Sequence, residues 1–284
     1  MQKQFTPYPE VNMVLDVLVS EVQSILGSDH GPASFRETGP SGSQFVGMYL
    51  YGSLAYGGFD ADSDVDYVVV TKDDLSEVHF SALQEMHARI AKIDSWCATQ
   101  LEGSYVPQHA LRTFDPLRVL FNHIDRGPNE QLHRMEIKDE KNSRAWWGGW
   151  VILRAILLES GITIVGPAPA RLMDPVTGEE LRQANLADLQ NWFEPMCENV
   201  VQLENFGYQP YAVLTICRIL HTYERGTIVS KQAAAQWAQE KLVEPWSSLV
   251  VRAWTARHHP EIKASPGEIK LTQDFIRFAL ERCK

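Results

Sequence analysis

Cysteine is scarce in this chain. There are four, Cys97, Cys197, Cys217 and Cys283, scattered and with no C-x-x-C pair. That excludes a zinc ribbon or a disulfide framework and fits a reducing cytosol. A long uncharged apolar run is also missing. The greasiest stretch, WWGGWVILRAILLESGITIVG (146–166), is interrupted by Arg154 and Glu159, so no membrane span is expected. The opening MQKQFTPYPE is polar and has no apolar signal core, and a cytoplasmic location is expected. Positive charge is in deficit, with 26 Lys and Arg against 36 Asp and Glu and a net charge of −10. Such a balance disfavours nucleic acid as the main partner and is compatible with a cationic one. Internal repeats and low-complexity runs are absent as well.

What is there is an ordinary globular composition, 44% hydrophobic and 22% charged over 284 residues, enough for two domains or one elaborated one. Apolar residues at helical spacing predict a helix over 11–26. GPASFRETGPSGS (31–43) is a loop by composition. Strands are expected at 44–52 and 65–72, with a turn-rich excursion at 54–63 between them. A helix over 81–100, a weaker strand at 101–111, an extended loop at 108–144, a helix at 144–160 and a strand at 161–167 follow. Pro175 and Gly178 mark a seam. Beyond it the pattern is helical: 184–204, broken near Pro195, 211–226 ending at a capping glycine, 230–242 starting at Ser230, and 265–284. The last opens with Ser265, Pro266 and Glu268, a capping box with proline at the first helical position. The fold class expected is α+β: a mixed β-sheet with helices over residues 1–178, then an α-helical bundle over 179–284.

The chemistry concentrates at YGSLAYGGFDADSDVDYVVV (51–70). Two acids flanking one residue on a strand point to the same side. Asp64 and Asp66 would therefore project as a pair, and two close like charges are costly without a cation between them. A hard divalent ion such as Mg²⁺ suits carboxylate oxygens and keeps room for substrate phosphates. Gly52-Ser53, at the end of the preceding strand, offers backbone N–H groups and a hydroxyl to a phosphate. Phosphate binder and metal site on neighbouring strands fit metal-assisted in-line attack at phosphorus. Each piece alone is common in solvated turns; their order carries the signal.

At these residues the sequence resembles the nucleotidyltransferase superfamily with the DNA polymerase β-like core. The resemblance implies transfer of a nucleoside monophosphate from an NTP to a hydroxyl, with pyrophosphate released. It also implies a third carboxylate on the next strand, for which Glu102 in QLEGSYV is the candidate. More narrowly, the chain is similar to the aminoglycoside adenylyltransferases that modify streptomycin and spectinomycin, over most of its length. LYGSLAYGGFDADSDVDYVVV, WVILRAILLESGITIVGPAPARLMDPV and VLTICRILHTYERGTIVSKQAAAQWAQEKL carry the likeness. It implies that Arg218 and Lys231 reach the ATP. Lys231 has a separate argument: a cation in the first turn of a helix is disfavoured by the dipole, and a triphosphate there would offset the conflict. In the family the stretch before V-L-T-x-x-R carries acids that hold the cationic drug. Here it reads NFGYQPYAVLT, with no acid, and Glu204 lies one step upstream.

The resulting expectation is an active site in the cleft between two domains. Asp64 and Asp66 would hold Mg²⁺. Gly52, Ser53 and Ser63, with Arg218 and Lys231, would hold the ATP phosphates, and Glu102 would take the acceptor's proton. The partners expected are ATP and a small hydroxylated acceptor, with no membrane, and with the chain a monomer or weak dimer. The alternatives are another acceptor, such as a protein, a tRNA end or another small molecule, and a nucleotide-binding module without turnover. Trp146, Trp147 and Trp150 are read as packing, His258-His259 as a surface pair, and His123 and His133 as solvent-exposed.

Overall fold

The structure is a computed structural model. It describes residues 4–27, 43–60, 62–112, 120–136, 140–205, 207–259 and 262–283, leaving aside the side chains at 120, 121, 136 and 140–147. The loop expected at 31–43 falls almost wholly outside these residues. The chain divides into two compact units, one of Met1–Ile137 and Ile156–Pro175, the other of Lys138–Ala155 and Val176–Lys284.

In the first unit, α1 (Pro9–Leu26) buries Val11, Val14, Leu15, Leu18, Val22 and Ile25 along one stripe, the spacing that predicted it. Next come β1 (Phe45–Leu50), α2 (Gly52–Tyr56), β2 (Val65–Thr71), α3 (Glu77–Ile90) and β3 (Leu101–Pro107). α4 (Gln108–Arg112), β4 (Leu120–Ile124), β5 (His133–Glu136), α5 (Glu140–Ser160) and β6 (Ile162–Val165) complete the series. α5 begins in the second unit and ends in the first. The strands form one sheet in the order β5-β4-β3-β2-β1-β6. β2 and β3 are parallel, while the other neighbours are antiparallel.

Three expectations change here. The excursion at 54–63 opens with the last three residues of the short helix α2, which stops at Gly57 with φ +75. The helix expected at 81–100 starts earlier, because the Ser76 hydroxyl accepts the His79 N–H at 3.2 Å and caps it, and it ends at Ile90; a short 3₁₀ turn covers Trp96–Thr99. The extended loop at 108–144 contains α4 and the β4–β5 hairpin. Those strands are short and carry no clean alternation, and their backbone partners come from β3, through Gly103 opposite Ile124 and Ser104 opposite His123.

Beneath the sheet lies a polar knot. His87, 3% exposed, places Nε2 2.8 Å from the Tyr105 hydroxyl and 3.2 Å from that of Tyr67. A side chain at Gly103 would overlap the Tyr67 ring, so the glycine lets the ring lie flat under β3.

The second unit contains α6 (Gly178–Asp188), α7 (Tyr208–Arg225), α8 (Lys231–Lys241), α9 (Trp246–Ala256) and α10 (Pro266–Arg282). α6 starts at a capping box between Thr177 and Glu180. It passes through one π turn (Leu189–Phe193) into a 3₁₀ turn holding Pro195, the break that a proline without an N–H imposes. Gly226, at φ +71, closes α7 with its N–H on Thr222 O at 2.7 Å. Ser230 caps α8, and the Ser265–Glu268 box opens α10. α7 is the hub, with Ala212, Val213, Ile216, Cys217, Ile219 and Leu220 buried among the other helices. Trp150, from the α5 segment of this unit, is buried, in keeping with packing. Among the described residues no helix is long and apolar enough to cross a membrane.

Burial pushes the His87 imidazole from 6.5 down to about 3. The unfolded chain therefore binds a proton over that window and the native one does not, so stability falls as pH drops through it. The expected loss is up to about 1.4 kcal/mol per pH unit. Urea unfolding between pH 7 and pH 4 should show this slope in the wild type and a flatter one in His87→Gln; equal slopes would remove His87 as the cause.

Candidate active site

The parallel pairing of β2 and β3 sets Asp66 directly opposite Glu102. Asp64 lies two residues before Asp66, on the same side by the period-two rule. The result is a trio of half-buried carboxylates, Asp64, Asp66 and Glu102, with an oxygen of each within 4.8 Å of the others. The donors are all hard oxygens, the set that a divalent cation such as Mg²⁺ takes.

β1 delivers the other half. Tyr51 donates its N–H to Asp66 O at 3.1 Å, locking the end of β1 to the start of β2. The next residue, Gly52, has φ +66, and a Cβ there would overlap the Asp66 carboxylate. Only glycine both adopts this left-handed conformation at little cost and leaves the acid its space. Ser53 follows, its Oγ buried and without a hydrogen-bond partner among the described residues. A buried hydroxyl in that condition is costly and suits a phosphate oxygen. Ser63 is more committed: its hydroxyl donates to Asp60 Oδ1 at 2.8 Å and accepts the Asp60 N–H at 3.1 Å, closing the turn before Asp64.

The site is strongly negative. The Tyr51 phenol is pushed well above its usual value, by burial first and then by the charges of Asp66 and Glu102. It therefore stays a neutral hydroxyl beside the carboxylates. Positive charge comes from Arg126, in the turn after β4, whose Nη1 donates to Asp64 Oδ1 and, at 3.2 Å, to Asp62 O. Neither residue was singled out from the sequence. Tyr51 abuts the Gly-Ser motif and could have been found there; Arg126 had no signal, because its hairpin read as loop. His123 is also drawn inward: it is half-buried, with Nδ1 2.9 Å from Ser104 Oγ, and not in solvent as expected.

In the second unit, Arg218 lies on α7 with its Nε buried and without a partner among the described residues, and Thr215 Oγ1, one turn earlier, is in the same condition. Arg218 also bears on Asp188. Burial lifts that carboxyl from 3.8 to about 7, and the Arg218 charge opposes the rise. Lys231 occupies the first position of α8, with Nζ 5.6 Å from the centre of the Tyr211 ring. An exposed aromatic patch lies nearby: Trp192 Nε1 donates to the Tyr208 hydroxyl at 2.7 Å, and the Tyr208 and Tyr211 rings are 5.2 Å apart.

Comparison with known proteins bears on both units. Residues 41–143 match the nucleotidyltransferase domain family, and residues 171–282 match the aminoglycoside adenylyltransferase C-terminal domain. The two matches together describe a nucleotidyltransferase domain followed by an aminoglycoside adenylyltransferase C-terminal domain. These domains make the chain a nucleotidyltransferase, and its fold is the α+β class expected. An aminoglycoside (3'') (9) adenylyltransferase of Escherichia coli is 27% identical over 248 residues, 82% of this chain and 85% of that one. A spectinomycin 9-adenylyltransferase of Staphylococcus aureus is 26% identical over 204 residues, 69% of this chain and 72% of that one. The crystal structure of spectinomycin adenyltransferase from Enterococcus faecialis with ATP and spectinomycin shares the fold, with a TM-score of 0.63 at 15% identity over 95% of this chain and 98% of that one.

The tight approach of Gly52 to Asp66 gives a direct test. Gly52→Ala should cost about 1–2 kcal/mol from the left-handed backbone alone, more if Asp66 cannot move. A loss confined to that range in urea unfolding would show that Asp66 yields, and a curve matching wild type would refute the backbone cost itself.

Proposed function

We propose that this adenylyltransferase moves AMP from ATP to a hydroxyl of a small, cationic acceptor of the aminoglycoside class and releases pyrophosphate. The observation that carries the reading is the carboxylate trio Asp64, Asp66 and Glu102, assembled beside the Gly52-Ser53 turn. Curated relatives named for aminoglycosides and for spectinomycin support the acceptor class. The Enterococcus faecialis protein of the same fold was crystallised with ATP and spectinomycin together.

In this reading Asp64 and Asp66 hold Mg²⁺, with Glu102 beside them. Bound there, the cation would offset charge on the phosphate oxygens and polarise the reacting phosphoryl group. Gly52 lets the backbone come close to a phosphate, and Ser53 offers it a hydroxyl. Ser63, Arg218 and Lys231 are assigned to the phosphates as well. Glu102 accepts the proton of the acceptor hydroxyl, whose oxygen attacks the α-phosphorus while pyrophosphate leaves on the far side. Tyr51, kept neutral, can donate a hydrogen bond but cannot serve as the base.

A different small acceptor is a second reading, favoured by one observation: residues 205–215 bring Tyr208 and Tyr211 and no acid. Aromatic faces attract cations and sugars without a formal charge, so the patch would select a less highly charged acceptor.

Pyrophosphate release from Mg²⁺-ATP should require streptomycin or spectinomycin and should vanish in Asp66→Asn. Glu102→Gln should keep ATP affinity and lower turnover by about 10²–10⁴, the usual worth of a positioned base. Full rate in Glu102→Gln would refute the base assignment. Silence with both drugs while ATP binds would move the acceptor elsewhere.

A further inference from the structure

Three carboxylates within 4.8 Å of one another repel, and the fold brings a cation to them from a third strand pair. Arg126 reaches Asp64 Oδ1 and Asp62 O with one nitrogen. Its position is fixed by structure and not by a loose loop. β4 pairs with β3, Ile124 opposite Gly103, next to Glu102. Gly127, at φ +147, donates its N–H to Thr99 O at 2.8 Å, tying the turn to the approach of β3. The backbone of Arg126 is thus tethered to the strand that carries Glu102, and only the side chain has freedom. That side chain is 48% exposed and that of Asp64 28%, so the ion pair is a weak one that can be exchanged.

We propose that Arg126 is an exchangeable counter-ion of the site. It competes with a divalent cation for the Asp64 carboxylate, yields it when the cation binds, and turns its guanidinium to the phosphates of the nucleotide. The inference rests on the reading of Asp64, Asp66 and Glu102 as the metal-holding set. Three features support it. A cation held by the trio would need an oxygen of the Asp64 carboxylate, the group that Arg126 engages. A displaced guanidinium beside a bound divalent ion meets a like charge and moves toward negative charge. The planar fork of arginine matches a phosphate better than a lone carboxylate oxygen.

The test is binding of Mn²⁺ alone, followed by electron paramagnetic resonance of the free ion, with wild type, Arg126→Gln, Arg126→Lys and Asp64→Asn. Circular dichroism serves as the control of folding. Arg126→Gln should bind Mn²⁺ about two- to fivefold more tightly, the worth of a part-exposed ion pair, and Arg126→Lys should fall between it and wild type. With Mn²⁺ saturating, calorimetry with a non-hydrolysable ATP analogue should show weaker nucleotide binding in Arg126→Gln. Unchanged or weaker Mn²⁺ binding in folded Arg126→Gln and Arg126→Lys would overturn the competition. Unchanged nucleotide binding would overturn the transfer to phosphate. If Asp64→Asn bound Mn²⁺ as well as wild type, the metal reading beneath the inference would fall instead.

Discussion

The register of β2 against β3 is the constraint on which the site depends. These two strands are parallel, and Asp66 meets Glu102 only in one alignment. A slip of one residue would send Glu102 to the opposite face of the sheet, because side chains alternate with period two. The alignment is fixed from below. Tyr67 and Tyr105 stand on the core side of β2 and β3, and both hydroxyls converge on the Nε2 of His87 from α3. Gly103 opens the space into which the Tyr67 ring fits. The buried face thus holds the pairing that the carboxylate face depends on, and a polar knot is a stricter gauge of register than apolar contact, since its partners satisfy one another only in one arrangement.

The second physical theme is the handling of concentrated negative charge. Asp64, Asp66 and Glu102 share a few ångströms, and each neighbour responds to them. Tyr51 is held neutral. Gly52 withholds a side chain so that Asp66 has room. Arg126 lends a positive charge to Asp64 from a tethered hairpin. The second unit shows a different problem, buried polar atoms without partners: the Arg218 Nε and Thr215 Oγ1 lie buried and unsatisfied among the described residues, a condition a polar ligand relieves.

Much of the fold was legible where the signal is local. The stripe of α1, the capping serines at 230 and 265 and the glycine stop at 226 all depend on residues within a turn or two of one another. So did the core of the site, since Gly52-Ser53 and Asp64-Val65-Asp66 are short motifs whose geometry follows from strand alternation. What could not be read depends on partners distant in the chain. β4 and β5 are weakly patterned and exist by pairing with β3 and with each other. Arg126 was invisible because a lone arginine in a polar turn gives no sign of an aspartate 62 positions away.

The sequence by itself determined the strongly patterned helices and strands and the acids and glycine of the motif, because periodicity, capping and motif spacing are written in neighbouring residues. Tertiary structure alone decided which face of β3 Glu102 would occupy, that His87 would be sealed among tyrosines, and that Arg126 would reach Asp64. Those outcomes are set by strand register and by a hairpin anchored to β3. Both arise only when segments far apart in the chain pair their backbones, and no local pattern encodes that.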